Sequence, residues 1–150
     1  LYPTIGSAGT IWLARNLDFT TPASWCRNDN HEECAEYGRL YSWEEAKTAC
    51  PAGWHLPTEE EWLAILDDTG DAKQSYTAAT TGSFAITMGG SRAPNGQYSD
   101  TDGIYWTSSS CGTDSASVIL FDQDSASVGP KCHPVEGWGL SVRCTAQTGP

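Results

Sequence analysis

The chain has 150 residues, enough for one domain with a real core, and 39% of them are hydrophobic, including seven Trp and six Tyr. This composition excludes a disordered segment, and a formal net charge of −11 makes nucleic acid and anionic membrane surfaces poor partners. Fifteen Gly and eight Pro imply many loops, while six cysteines, an even number, point to disulfides and an oxidising compartment.

Taken in chain order, residues 1–9 carry Gly6, Ser7 and Gly9 and read as a lead-in. Thr10-Ile11-Trp12-Leu13-Ala14 is β-branched and aromatic and predicts a first strand, ended by Asn16-Leu17-Asp18. Residues 20–36 are polar and turn-rich. Cys26 and Cys34 lie close enough there to pin the loop, contributing roughly 2–3 kcal/mol by loop-closure reasoning. Ser42-Trp43-Glu44-Glu45 predicts a capping box, in which Ser42 accepts from the Glu45 amide while Glu45 reaches back. Trp43, Ala46 and Cys50 share one face of the helix that follows, and Pro51 and Gly53 stop it. A second helix starts at Thr58 with Glu61 at its third position, and Trp62, Leu63 and Leu66 form its apolar stripe.

Asp67-Asp68-Thr69-Gly70-Asp71 reads as a solvated acidic helix exit, because the regular ligand pattern of a calcium loop is missing. Residues 72–100 show little periodicity; only Phe84-Ala85-Ile86 suggests a short buried segment, and Pro94-Asn95-Gly96 marks a turn. Strands are predicted at 104–108, 117–121, 125–128 and 139–144, forming an antiparallel meander. In the last of these, Leu140, Val142 and Cys144 would face one way and Ser141 and Arg143 the other. Along 118–121, either Ile119 and Phe121 face the core with Val118 and Leu120 outward, or the strand is covered on both faces.

Several of these segments carry a resemblance. Trp12-Leu13-Ala14-Arg15-Asn16-Leu17, Tyr37-Gly38-Arg39-Leu40-Tyr41-Ser42-Trp43, Cys50-Pro51-Ala52-Gly53-Trp54-His55-Leu56-Pro57, Glu61-Trp62 and Ser141-Val142-Arg143-Cys144 resemble, in this order, the signature of the Fibrobacter succinogenes major paralogous domain. The resemblance implies one extracellular domain over 1–150 with an α+β, C-type-lectin-like fold akin to the formylglycine-generating-enzyme subgroup. Its expected layout is two helices on a small twisted antiparallel sheet, rich in loops and stapled by disulfides. Some proteins of this fold are variable receptors diversified by retroelements. Such domains commonly join their first helix to their last strand, which agrees with a Cys50–Cys144 bridge worth up to ~4–5 kcal/mol. Cys111 and Cys132 then remain for a third bridge, unless one of them is a free thiol.

The residues that could carry chemistry divide as follows. No CxxC pair occurs and the three histidines are scattered, so no metal site and no cofactor is expected. A cysteine-dependent oxidase would need a thiolate of lowered pKa, and around Cys111 only Ser110, Gly112 and Asp114 are near in sequence, so no catalytic residue is assigned. Calcium-dependent sugar binding is doubtful as well, since Ala93-Pro94-Asn95 and Trp106-Thr107-Ser108 lack most of the oxygen ligands. His55 reads as a turn-fixing histidine, and Arg143 as the structural partner of a buried carboxylate.

The expected binding segment lies within 106–144, where small, chemically mixed residues fill the gaps of the family pattern. Its candidate contacts are Thr113, Asp114, Ser115, Ser117, Val118, Leu120, Asp122, Ser125 and His133. The expected function is non-catalytic binding of a protein or glycan on a cell, phage or matrix surface, by a secreted or surface-displayed protein. No direct membrane insertion is expected, because the apolar runs are only a few residues long. The rival is a structural or adhesive module of a bacterial surface lipoprotein without a diversified site. Without a leader pattern, the sequence reads as a mature fragment or excised domain.

Overall fold

The expected lead-in is part of a sheet. In the computed structural model, which describes residues 2–7, 9–66, 72–82 and 84–147, Thr4–Ser7 (β1) pairs antiparallel with Thr10–Leu13 (β2). The turn-rich stretch that follows holds Ser24–Trp25 (β3), a 3-10 turn at Arg27–Asp29 and a helix, His31–Tyr37 (α1). Asn30 caps α1 by accepting from the Glu32 amide at 2.9 Å. Leu40–Tyr41 (β4) returns antiparallel to β3, and Trp43–Ala49 (α2) and Glu59–Leu66 (α3) flank the tryptophan-bearing corner.

Both capped helices exist, with one difference. At α3 the box is reciprocal: the Glu61 amide donates to Thr58 Oγ1 at 3.0 Å and the Thr58 amide to Glu61 Oε1 at 2.9 Å. At α2 the Glu45 amide donates to Ser42 Oγ at 3.2 Å, but the Glu45 carboxylate turns away to accept from the Ala23 amide at 3.1 Å. The Ser42 amide is satisfied by the Ala23 carbonyl instead, so this box is spent on holding the preceding loop.

The acidic exit at 67–71 lies outside the described residues. Beyond it the expected structureless region contains a helix, Ala72–Thr81 (α4), whose buried positions are only Ser75 and Ala79. A short hairpin follows, Ser91–Arg92 (β5) with Tyr98–Ser99 (β6). Gly103–Gly112 (β7), Ser115–Asp122 (β8) and Ser127–Pro134 (β9) form the expected meander, with β8 in the middle.

The expected last strand, 139–144, is a thread rather than a member of that meander. Leu140 to Thr145 are all 0% exposed, so both of its faces are covered and the predicted alternation does not separate core from solvent. Single bridges join it to Tyr41 and Tyr105, and the Leu17 and Leu13 amides donate to the Val142 and Cys144 carbonyls at 2.9 and 3.1 Å. It ends in Thr145–Gln147 (β10), which pairs with β2 to complete a three-stranded sheet in the order β1-β2-β10.

Arg143 has no carboxylate partner, contrary to the sequence reading. Its guanidinium donates to Asn16 Oδ1 and to the carbonyls of Leu13, Phe84 and Ala85. Two buried clusters lie on either side of β8. Val118 belongs to one, with Tyr41, Trp106 and Leu140; Ile119 and Phe121 belong to the other, with Trp12 and Trp62. The strand is therefore covered on both faces along 118–119. All three expected disulfides form, Cys26–Cys34, Cys50–Cys144 and Cys111–Cys132, with Cα separations of 5.0, 5.9 and 6.0 Å.

Candidate functional site

The meander has two ends, and the nine candidate contacts are divided between them. Along β8, eight residues at about 3.3 Å each put Ser115 and Asp122 roughly 23 Å apart. Thr113 and Asp114 form the exposed tip between β7 and β8, where Asp114 takes a left-handed backbone (φ 56°) that Asp tolerates better than most residues. Ser115 is half-buried beside them, and His133 lies at the same end on β9, whose Pro134 is paired with Ser115.

Asp122 and Ser125 occupy the opposite end. There Asp122 Oδ1 accepts from the amides of Asp124 and Ser125 at 3.0 and 3.2 Å, closing the β8–β9 turn. These two residues shape a turn and do not adjoin the tip. Ser117 and Val118 are buried, and the Ser117 hydroxyl donates to the Glu59 carboxylate at the start of α3. Leu120 is half-buried mid-strand. Only Thr113, Asp114, Ser115 and His133 thus share one end.

That end is built stiffly. β7 and β9 are edge strands separated by β8, so regular strand spacing would hold them roughly 9–10 Å apart. Register shifts between Trp106 and Ser110, and again before Gly112, bend the end of β7 over the middle strand. Cys111 then reaches Cys132, and the bridge fastens the curled end on its exposed side. From below, the Glu59 amide donates to Ser109 Oγ at 3.0 Å and the Ser108 amide to the Pro57 carbonyl at 2.8 Å. The corner that joins the two helices therefore supports the bent strand.

His133 closes the inner side, edge-on to Trp138 with ring centres 4.7 Å apart and to Trp106 at 6.0 Å. Its pKa lies below the ordinary 6.5 because burial penalises the charged ring; the Pro134 carbonyl, accepting from Nδ1 at 2.7 Å, opposes this, and Lys131 adds to it.

After β9 the chain runs along this end. The Val135 amide donates to the Asp114 carbonyl at 3.1 Å, and Gly139 exchanges two backbone hydrogen bonds of 2.9 Å with Arg92 on β5. Between these points Gly137 (φ 80°) packs so tightly on Pro94 that a Cβ there would come within 2.8 Å of the proline ring. The β7–β8 tip, residues 135–139 and the β5–β6 hairpin thereby join into one loop platform.

The platform carries side chains that the sequence reading left aside, chiefly Trp25, Arg92, Tyr98 and Trp138. The Arg92 guanidinium lies 4.2 Å from the Trp25 ring centre and 5.9 Å from that of Tyr98. Among the described residues, no three His, Cys, Asp or Glu side chains converge as metal ligands.

A family model, that of the Fibrobacter succinogenes major domain, matches residues 5–145. The chain belongs to this family. No curated protein and no solved structure matches it. In this chain the family-signature residues act as framework. Asn16 binds Arg143, His55 Nε2 lies 2.9 Å from Glu61 Oε2 while its backbone pairs with Thr145, and Gly38 (φ 75°) leaves no room for a Cβ against Asn16. The one earlier hint of the β5–β6 hairpin was Pro94-Asn95-Gly96, a turn signal with no chemistry attached. Nothing local could join it to Trp25, 67 positions away from Arg92, since only the fold brings β3 beside β5.

Proposed function

We propose that this domain is a non-catalytic ligand-binding module of C-type-lectin-like architecture, carried by a secreted or surface-displayed protein. Its ligand would be a protein or glycan on another cell, phage or matrix, met by the platform around Thr113 and Asp114. The observation that carries the reading is the disulfide-fastened, doubly bulged end of the meander. It presents exposed polar side chains on a backbone held from below by α3 and from the side by residues 135–139. Preorganised loops of this kind bind without first losing entropy to ordering. All six cysteines are joined in disulfides, which supports binding over thiol chemistry. Three disulfides also fit an oxidising, extracellular setting, and among the described residues no helix is long and apolar enough to cross a membrane.

The rival, a structural or adhesive module without a diversified site, gains from Ser117, Val118, Asp122 and Ser125. Their burial or turn duties leave few positions free to vary. Neighbouring DNA separates the two. A reverse transcriptase beside a near-duplicate of the segment coding for 106–144 supports a retroelement-diversified receptor, and its absence supports the rival. Pull-down from candidate surfaces, repeated with Thr113 and Asp114 replaced by alanine, tests binding itself. Capture that is indifferent to those two changes would refute the assignment of the site.

A further inference from the structure

Arg92 is fixed in place yet forms no ion pair among the described residues. Arg27 and Lys47 sit in ion pairs with Glu33 and Glu44, each at 3.2 Å. Arg39 donates to Ser24, and Arg143 is spent on Asn16 and backbone carbonyls. The Arg92 guanidinium enters no ion pair among the described residues, and its Nε is buried without a hydrogen-bond partner.

Its position is nonetheless fixed. The backbone is bonded both ways to Gly139, the planar group stacks on Trp25, and Tyr98 stands directly across the strand pair. The Tyr98 hydroxyl gives its proton to Asp29 Oδ1 at 2.8 Å, which draws that carboxylate to the phenol rather than into an ion pair with the guanidinium. A guanidinium held in this way has lost its rotamer freedom before any ligand arrives, and its fork of N–H groups matches a carboxylate.

We propose that Arg92, backed by Trp25 and Tyr98, binds the carboxylate of an acidic saccharide, with the sugar ring resting against the half-exposed aromatic side chains. The inference rests on the ligand-binding reading above and names the ligand class for the same platform, since residues 135–139 join Arg92 to the Thr113–Asp114 tip. Asp29, the nearby carboxylate, is engaged by the Tyr98 hydroxyl, and repulsion from more distant carboxylates is screened beyond about 8 Å at physiological salt, so an anion can approach despite the formal charge of −11. Asn95 and Gln97, exposed on the same hairpin and already ordered by their mutual contacts, flank Gly96, which lies close to the guanidinium, and offer hydrogen-bonding groups for sugar hydroxyls.

Calorimetric titration with a glucuronate-terminated oligosaccharide and its neutral glucose-terminated counterpart tests the proposal. The acidic form should bind at least tenfold more tightly, and added salt should weaken it. Arg92→Lys, which keeps the charge and the stem on Trp25 but lacks the planar fork, should lose most of that difference; Arg92→Met should lose all of it. If either variant folds poorly, the native protein with labelled arginine serves. Its Arg92 Nε resonance should move with glucuronate and stay still with glucose. Equal affinity for the two sugars, or an Arg92→Lys variant that binds as before, overturns the proposal. So does an acidic peptide that binds more tightly than the glucuronate. If a captured ligand depends on Thr113 and Asp114 while Arg92 variants leave it unchanged, this inference fails and the ligand-binding reading stands. If glucuronate binds through Arg92 but no captured ligand depends on the tip, the tip assignment fails instead.

Discussion

Arg143 is wholly buried and donates five hydrogen bonds without meeting a carboxylate. Burial pulls its pKa below the ordinary range, while Tyr105 acts in the opposite direction, and a guanidinium stays charged under such pressure. Asn16 Oδ1 takes two of the bonds and a third from the Tyr105 hydroxyl at 2.9 Å, so one amide oxygen ties the segment after β2 to the thread and to β7. Arg143→Lys leaves several carbonyls facing no donor, each costing about 1–3 kcal/mol when buried. Denaturant unfolding should show a loss of about 3–5 kcal/mol, the sum over a few such unsatisfied acceptors. A second test at this scale concerns His133. Its folded pKa lies below its unfolded one, so its contribution to stability is fully present above 6.5 and is lost as pH falls through the folded value. An NMR titration of the ring should give a midpoint below 6.5, and His133→Gln should flatten the stability profile across that window.

At the scale of elements, the reciprocal cap of α3 predicts that Thr58→Ala costs about 1 kcal/mol in thermal or chemical unfolding. The two tryptophans of this region should separate sharply. Trp62 is fully buried, with Trp12, Tyr105, Phe84 and Phe121 at ring-centre distances of 5.0 to 6.1 Å, so Trp62→Ala should cost about 3–5 kcal/mol. Trp54 is half-buried at the edge of the other cluster, and its loss should cost about 1–2 kcal/mol. What was legible here follows physical range. Both N-cap residues, the stop at Pro51 and three strand positions of the meander are local signals that stand, whereas the return contact of Glu45 to Ser42 does not form. Helix α4 was not legible because small residues, Ser75 and Ala79, carry its buried face and leave no apolar stripe to detect. The thread at 139–144 shows an alternating pattern that means nothing once both faces are covered, a condition set by Tyr41 and Tyr105 from elsewhere in the chain. Arg143 was legible as structural, but its partners were not, because carbonyls leave no mark in a sequence.

For the whole molecule, the disulfides grade the architecture by loop length. Removing Cys50–Cys144, which closes 94 residues, should cost about 4–5 kcal/mol in the chain-entropy model, against about 2–3 kcal/mol for Cys26–Cys34, which closes 8. Unfolding of the paired Cys→Ala variants measures both. The division of the candidate contacts leads to the last test. A contiguous stretch of sequence looks like one surface, but the antiparallel meander sends the β7–β8 and β8–β9 turns to opposite ends, so that nearness in sequence becomes roughly 23 Å in space. The two turns should therefore respond in opposite ways. Replacing Thr113 and Asp114 with alanine removes exposed side chains that hold no hydrogen bond to the framework among the described residues, and stability should change by no more than about 0.5 kcal/mol. The same pair should reduce capture of a surface ligand strongly, since a central contact can exceed about 2 kcal/mol. Replacing Asp122 and Ser125 removes the acceptor of two turn amides and a hydroxyl 2.6 Å from Ser127, so about 1 kcal/mol of stability should go while binding persists. Measuring melting and capture for both pairs side by side decides which end of the meander faces the ligand. Binding lost with Asp122 and Ser125, and kept without Thr113 and Asp114, would move the site to the far turn.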